Sequence, residues 1–206
     1  MSYGSQNIAV YSGSFNPLHI GHLAIIRHMI EVAGFDMVYL IVSPKNPLKD
    51  GISSDSGRER YMAAVEAVER RFLRSGLSDS GRNDSKAVEA KVKVDDIELN
   101  MPEPHYTIRT LDALKEREPD NRFTLVMGAD NLADIRRWRD YTRILKEFGV
   151  AVFPREGHDL TEIKQDLLKE DPAYMIQILD AGMVDISSTQ IRNAIAEGED
   201  ISKYLM

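Results

Sequence analysis

Hydrophobic residues follow two alternating patterns along this chain: short apolar runs, and stretches with apolar positions three or four residues apart. The first run, Ile8–Tyr11, is rich in β-forming residues and ends at a Ser-Gly-Ser turn signal. Leu23, Ile26 and Ile30 then recur at helical spacing until Gly34, which is typical of the residue that ends a helix. Residues 8–34 are therefore predicted to form a β-strand followed by an α-helix.

The same alternation continues towards the C-terminal region. The predicted elements are strand 36–42, helix 58–73, strand 91–99, helix 107–117, strand 123–127, a helix from Asn131 or Leu132, helix 141–148, strand 150–153, helix 160–169, strands 174–179 and 183–186, and helix 188–197. This order predicts an α/β protein with an open, mostly parallel sheet and helices on both faces. In such sheets ligands bind beyond the carboxyl ends of the strands.

Length and composition narrow the class of protein. A chain of 206 residues suits a single domain over residues 1–206, with segment 74–86 as a mobile surface loop because it has few apolar residues. A net charge of −7 argues against a protein that mainly coats nucleic acid. The absence of cysteine excludes disulfides and thiolate metal sites. The polar start and the lack of a long apolar window predict a cytoplasmic protein without a membrane span.

The first predicted turn, Gly13–His22 (GSFNPLHIGH), carries residues suited to phosphate chemistry. A strand, a turn of small residues and a helix N-terminus form an anion site, because backbone N–H groups point outward there. His19 and His22 are three residues apart and so lie on one side of the first helical turn, where imidazoles can donate hydrogen bonds to phosphate oxygens. Gly21 lets a nucleotide approach the backbone closely. The alternative is a glycine-capped turn with two surface histidines.

Two segments resemble the signatures of the nucleotidyltransferase superfamily. Gly13–His22 resembles [ST]-F-[DN]-P-x-H-x-G-H, and Ser187–Arg192 (SSTQIR) resembles S-[ST]-T-x-[IL]-R. The P-loop and the G-x-G-x-x-G fingerprints are absent from the sequence. The second segment would place Arg192 one turn inside another helix, where its guanidinium can bind the β- and γ-phosphates. The alternative is an ordinary capped helix with a solvated arginine.

Further segments resemble bacterial nicotinate-nucleotide adenylyltransferases. They are 106–111 (YTIRTL), 127–132 (MGADNL) followed by Trp138, and 152–157 (VFPREG), and the resemblance runs from Ile8 to about Ala196. It implies a Rossmann-like nucleotidyltransferase fold and an enzyme of NAD biosynthesis. The implied reaction moves AMP from ATP to nicotinate mononucleotide and gives nicotinate adenine dinucleotide and pyrophosphate. Mg²⁺ would accompany ATP, held mainly by phosphates and water.

The resemblance also implies roles for individual residues. The implied catalytic residues are His19, His22 and Arg192; the implied ATP-binding residues are Gly13, Ser14, Phe15, Gly21, Asp130, Ser188 and Thr189; the implied acceptor-binding residues are Lys49, Thr107, Trp138 and Arg155. No residue is expected to form a dedicated protein metal site. The alternatives are a core or interface anchor for Trp138, a helix cap for Asp130, and solvated surface positions for Arg155, Lys45 and Lys49.

One position departs from the family pattern. The residue after the tryptophan is commonly aromatic, but here it is Arg139. An inward-pointing Arg139 would help to bind the acid, whereas Tyr141 would otherwise supply the second ring. The alternative functions are an adenylyl- or cytidylyltransferase acting on nicotinamide mononucleotide or another small phosphorylated acceptor, and a nucleotide-binding regulator without turnover. The sequence leaves the oligomeric state open.

Overall fold

The described residues form a six-stranded parallel sheet in the computed structural model, which covers residues 4–44, 57–73, 91–180 and 188–205. The strands are β1 (Asn7–Gly13), β2 (Met37–Val42), β3 (Val92–Asp95), β4 (Arg122–Gly128), β5 (Val150–Phe153) and β6 (Ile176–Ile178). Their spatial order is β3-β2-β1-β4-β5-β6, and every neighbouring pair is parallel. The predicted α/β class is confirmed.

Helices connect and cover these strands. They are α1 (Ile20–Glu31), α2 (Gly57–Leu73), α3 (Thr107–Arg117), α4 (Ala129–Ala133), α5 (Tyr141–Arg143), α6 (Leu160–Glu170) and α7 (Ser188–Ala196). Short 3₁₀ turns lie at Ile97–Asn100, Ile135–Arg137 and Ser202–Tyr204, and a π-helical turn lies at Ile144–Phe148. Among the described residues, no helix is long and apolar enough to cross a bilayer.

The order of the strands fixes where a ligand can bind. β2 and β3 lie on one side of β1, and β4, β5 and β6 lie on its other side. β1 ends at Gly13 and β4 ends at Gly128, so the turns that follow these two neighbouring strands diverge. Such a switch point leaves a crevice at the carboxyl edge of a parallel sheet.

Alternating side chains on the strands supply two separate cores. Ile8 and Val10 on β1 point to the face covered by α3 and α6, while Ala9 and Tyr11 point to the face covered by α1 and α2. This two-residue period is the expected consequence of the pleat. Burial of both faces explains why the strands are apolar runs rather than alternating ones.

Most predicted elements are confirmed within one or two residues. The helix predicted over 107–117 and the strand predicted over 150–153 have those bounds in the structure. The first helix ends before Gly34, whose φ of +78° lies in the left-handed region that favours glycine.

The strand predicted over 91–99 is wrong beyond Asp95. The Asp95 carboxylate accepts a hydrogen bond from the backbone N–H of Ile97 at 3.0 Å, and the chain turns into a 3₁₀ helix there. An aspartate that bonds the backbone two residues ahead competes with the strand ladder. The apolar alternation that predicted a strand up to Leu99 therefore runs on into the 3₁₀ helix and does not mark where the strand ends.

Three other elements differ from the prediction in their type or in their bounds. The helix predicted over 141–148 is α-helical only to Arg143, because the Gly149 N–H bonds the Ile144 carbonyl in a π-type turn. The strand predicted over 174–179 is reduced to Ile176–Ile178. The helix predicted from Asn131 or Leu132 begins at Ala129. Lys45, Lys49, Ser187, the loop 74–86 and the strand 183–186 lie outside the described residues.

Candidate active site

The turn after β1 is a tightly packed bend. Phe15 is buried and has a φ of 42°, an uncommon value for a bulky residue. Its ring lies edge-on to Tyr11 at 5.5 Å and to His22 at 5.2 Å between ring centroids. A Cβ atom added at Gly13 would meet the Phe15 ring at 3.3 Å. Gly13 therefore gives the aromatic ring space against the end of β1.

His19 and His22 form a close pair at the start of α1, with ring centroids 3.7 Å apart. His19 is the N-cap of the helix, and its Nδ1 accepts from the backbone N–H of Gly21 at 3.2 Å. The Nδ1 of His22 accepts from the backbone N–H of His19 at the same distance. The alternative of two surface histidines is wrong for His19, which is 3% exposed.

These two hydrogen bonds fix the tautomer of each ring. A neutral imidazole carries one N–H and one acceptor nitrogen, and in both rings Nδ1 is the acceptor. The proton of each neutral ring is therefore on Nε2, which leaves an Nε2–H donor on each side chain. Such donors can bond phosphate oxygens without a change of protonation.

The surroundings of the pair keep both rings neutral at neutral pH. Burial and, to a smaller extent, the positive charge of Arg155 together lower the pKa of His19 to about 4. Burial, the neighbouring His19 and Arg155 together hold the pKa of His22 well below its ordinary value. Both histidines therefore act as neutral hydrogen-bond donors rather than as cations in the free protein.

Arg155 and Asp130 approach the same edge of the sheet from β5 and β4. The Arg155 guanidinium lies 5.1 Å from the Phe153 ring centroid, and its charge acts on His19, His22 and Tyr11. Asp130 is exposed in the first turn of α4. The predicted capping role of Asp130 is wrong, because Gly128 is the N-cap of this helix and has no side chain.

The second predicted segment docks directly onto the first. The Ser188 hydroxyl donates to the Pro17 carbonyl at 3.2 Å, and Arg192 Nη1 donates to the Asn16 carbonyl at 2.8 Å. Arg192 Nη2 also donates to the Thr189 hydroxyl at 2.9 Å. Residues far apart in sequence, predicted to hold the same triphosphate, thus lie together beside the β1–α1 turn.

A surface depression of about 510 Å³ contains the predicted acceptor residue Trp138. It is lined by Tyr106, Arg136, Arg137, Trp138, Arg139, Asp140, Tyr141 and Thr142. Trp138 is half-buried and packs against the core, so its role as a core anchor and its role at a binding surface are compatible. Arg139 and Tyr141 both line the depression. Thr107 begins α3 next to Tyr106, whose side chain does not cap the helix.

Comparisons with known proteins agree with this geometry. A cytidylyltransferase-like family model matches residues 10–194. A protein of Flavobacterium johnsoniae named "Probable nicotinate-nucleotide adenylyltransferase" is 37% identical over 200 residues, which are 97% of this chain and 92% of that protein. A Bacteroides fragilis protein with the same name is 34% identical over 95% of this chain and 85% of its own length.

The chain belongs to the nicotinate-nucleotide adenylyltransferase family.

Solved structures show that this family member shares its fold with a more distant protein. Plasmodium falciparum nicotinic acid mononucleotide adenylyltransferase, complexed with NaAD, superposes with a TM-score of 0.73 at 21% identity, covering 97% of this chain and 90% of that chain. The same protein complexed with APC superposes with a TM-score of 0.68 at 20% identity over the same shares of the two chains. The nucleotidyltransferase fold is confirmed.

Two buried charged residues of this adenylyltransferase family member were missed by the sequence patterns. Arg60 is 4% exposed and Glu98 is 3% exposed, and both bond groups beside the β1–α1 turn. Arg60 lies four residues before Ala64 and eight before Val68, so it occupies the buried stripe of α2. The charge of Arg60 in an otherwise apolar stripe is the sequence signal that could have identified it. Glu98 has no such signal, because it falls within the predicted strand 91–99.

Proposed function

We propose that this protein transfers AMP from ATP to nicotinate mononucleotide and releases pyrophosphate. The observation that carries the proposal is the neutral His19–His22 pair at the start of α1, with Arg192 docked beside it. The names of the bacterial relatives, and the binding of NaAD by the structural neighbour, support this choice of acceptor.

In the proposed reaction, a phosphate oxygen of the mononucleotide attacks the α-phosphorus of ATP. A new P–O bond forms there while the bond from the α-phosphorus to the bridging oxygen of the β-phosphate breaks. Both electrons of the broken bond leave with pyrophosphate. No protein nucleophile is needed, so catalysis depends on alignment and on stabilisation of charge.

The two histidines suit the stabilising role. Their Nε2–H groups are donors held in place by backbone hydrogen bonds, so they need little reorganisation when charge develops on the phosphates. Arg192 adds a planar guanidinium to the same turn, and Arg155 adds positive charge close to both rings. We assign ATP binding to Gly13, Ser14, Phe15, Gly21, Asp130, Ser188 and Thr189 as part of this proposal.

The depression around Trp138 suits an aromatic acid. Trp138, Tyr106 and Tyr141 offer aromatic faces, which can stack on a pyridinium ring. Arg136, Arg137 and Arg139 line the same depression together with Asp140, and Arg136 also pairs with Glu170. The surplus of positive charge in the lining favours a carboxylate over a neutral amide. The N-terminus of α3 at Thr107 adds backbone N–H groups with a favourable dipole for an anion. We therefore assign the acceptor to this depression.

The donor set near the triphosphate region fits a metal ion that arrives with the nucleotide. No group of three or more His, Asp or Glu side chains among the described residues could hold a metal ion, while Asp130 offers one exposed carboxylate after β4. Mg²⁺ suits such a site because it keeps several waters and binds through one or two carboxylates plus phosphates. Bound with ATP, Mg²⁺ would neutralise charge on the triphosphate.

The proposal also places the protein in the cytoplasm, as a single domain whose partners are its small-molecule substrates. Its test is a pyrophosphate-release assay with ATP and either nicotinate or nicotinamide mononucleotide. We expect rapid release with the nicotinate nucleotide and slower release with the nicotinamide nucleotide. Release with neither nucleotide, in a protein that binds ATP, would overturn the reaction. A preference for the amide would overturn only the choice of acceptor.

A further inference from the structure

A chain of hydrogen bonds between side chains runs beneath the β1–α1 turn. The Ser12 and Ser43 hydroxyl oxygens are 3.1 Å apart, and Ser43 Oγ donates to Glu98 Oε2 at 2.5 Å. Thr110 Oγ1 donates to Glu98 Oε1 at 2.8 Å. Because the Ser43 proton is directed to Glu98, Ser12 is the donor to Ser43. We call these four residues, Ser12, Ser43, Glu98 and Thr110, the relay.

The relay ends at the two regions that hold the proposed substrates. Ser12 lies on β1, two residues before Ser14 of the phosphate-binding turn. Thr110 lies in the first turn of α3, three residues after Thr107. Glu98 lies between them and bonds one hydroxyl with each carboxylate oxygen. Glu98 therefore links the end of β2, beside the ATP turn, to the acceptor helix.

A second group holds the middle of the relay in place. Arg60 Nη1 donates to the carbonyls of Ser14 and Ser43 at 2.8 Å, and Nη2 donates to the Pro44 carbonyl at 2.7 Å. The Arg60 guanidinium thus fixes the end of β2 against the phosphate-binding turn. Ser43 is held through its backbone by Arg60 and through its side chain by Glu98.

Burial makes a merely stabilising role a poor explanation for Glu98. Glu98 is 3% exposed and Thr110 is 1% exposed. A buried carboxylate loses its hydration, and well-packed apolar residues often give equal or greater stability. What a carboxylate adds over an apolar side chain is two directional bonds that set a geometry.

We propose that Glu98 is a positioning residue that aligns the acceptor phosphate with the α-phosphorus of ATP. This inference rests on the proposed function. The relay holds the phosphate-binding turn and the N-terminus of α3 at the separation that in-line attack requires. Small misplacements of reacting groups lower the rate of such reactions strongly, by about 100-fold for a displacement of about 1 Å.

The proposal predicts a change in kcat without a matching change in binding. Thr110→Val keeps the shape of the side chain but removes the bond that ties α3 to Glu98. We expect kcat to fall by about tenfold, because alignment is lost, while the KM values for both substrates change by less than about twofold. Thr110→Ser restores the hydroxyl and should recover most of the lost kcat.

Two further variants complete the test. Ser43→Ala removes the other hydrogen bond to Glu98 while Arg60 still holds the Ser43 backbone, so kcat should fall and the KM values should stay nearly unchanged. This variant tests the proposal even if Thr110→Val does not fold. Thr124→Val is the matched control, because Thr124 is a half-buried threonine on β4 outside the relay. It should retain the wild-type kcat.

The outcomes separate this inference from the proposed function. If the wild-type protein releases no pyrophosphate with nicotinate mononucleotide, the proposed function fails. If the wild type turns over and folded Thr110→Val and Ser43→Ala match its kcat, only the role of Glu98 is overturned. It is also overturned if Thr110→Ser is as slow as Thr110→Val, since the hydroxyl would then be irrelevant.

Discussion

The imidazole rings of His19 and His22 lie with their centroids 3.7 Å apart, and the backbone N–H of His19 itself donates to Nδ1 of His22. The helix N-terminus thereby orients its own pair of imidazole N–H donors. Because Gly21 supplies the corresponding N–H to His19, each ring accepts a hydrogen bond from the backbone at the start of α1.

Loss of one ring should therefore be costly for turnover. His22→Ala removes an Nε2–H donor from the site, and we expect kcat to fall by about 100-fold or more. Steady-state pyrophosphate release measures the change. His28→Ala, at the other end of the same helix, is the control and should keep the wild-type rate. A wild-type rate for His22→Ala would remove this residue from the mechanism.

The pair should also make stability depend on pH. The folded-state pKa of His19 is about 4, below the ordinary value of 6.5, so the unfolded chain binds more protons between these values. Stability should fall as pH decreases from 6.5 to 4 and should not depend on His19 above 6.5. Denaturant unfolding at several pH values measures this. His19→Asn, which keeps a capping side chain, should lose less stability over that range; parallel curves would contradict the assignment.

Arg155 should influence the titration of both histidines. Burial is the larger cause of the lowered pKa of His19, and Arg155 adds to it, so Arg155→Met should raise that pKa only part of the way to 6.5. The same variant should weaken ATP binding by removing a positive charge. Imidazole titration by NMR measures the first effect. Arg122→Met, at the amino end of β4, is the control, and equal titration curves for all three proteins would overturn the prediction.

Arg139 should contribute to the choice of acceptor. Replacing it with leucine removes a cation from the depression around Trp138, which should weaken binding of a carboxylate more than of an amide. We expect the ratio of kcat/KM for nicotinate over nicotinamide mononucleotide to fall by about tenfold. Arg70→Leu on the exposed side of α2 should leave the ratio unchanged. An unchanged ratio in Arg139→Leu would assign acid recognition to other groups.

A side chain at Gly128 should displace Asp130. A Cβ atom there would overlap the Asp130 carboxylate and lie 3.2 Å from the Phe153 ring. Gly128→Ala should therefore displace Asp130 and raise the KM for ATP, by about fivefold or more if a charged contact is lost. Gly4→Ala, where nothing lies within 4 Å, is the control. A wild-type KM for Gly128→Ala would show that Asp130 has no part in nucleotide binding.

The sequence predicted the parts of this protein that depend on local chemistry. The helix over 107–117 was predicted because its apolar spacing is regular, and the positions of His19 and His22 follow from one helical turn. Arg60 and Glu98 were missed because their partners are distant in sequence: Ser14 is 46 residues from Arg60, and Ser43 is 55 residues from Glu98. Hydrophobic periodicity indicates which face of a helix or strand is buried. It does not indicate which polar side chains come into contact when those elements pack together.

The contact between Arg192 and Asn16 spans 176 positions of the chain. At ribosomal rates of about 5–20 residues per second, the two residues are synthesised about 10 to 35 seconds apart. The turn that holds the histidines is therefore made long before the arginine that docks on it. If Arg192 binds the triphosphate as we propose, a nascent chain should remain inactive until α7 has emerged from the ribosome.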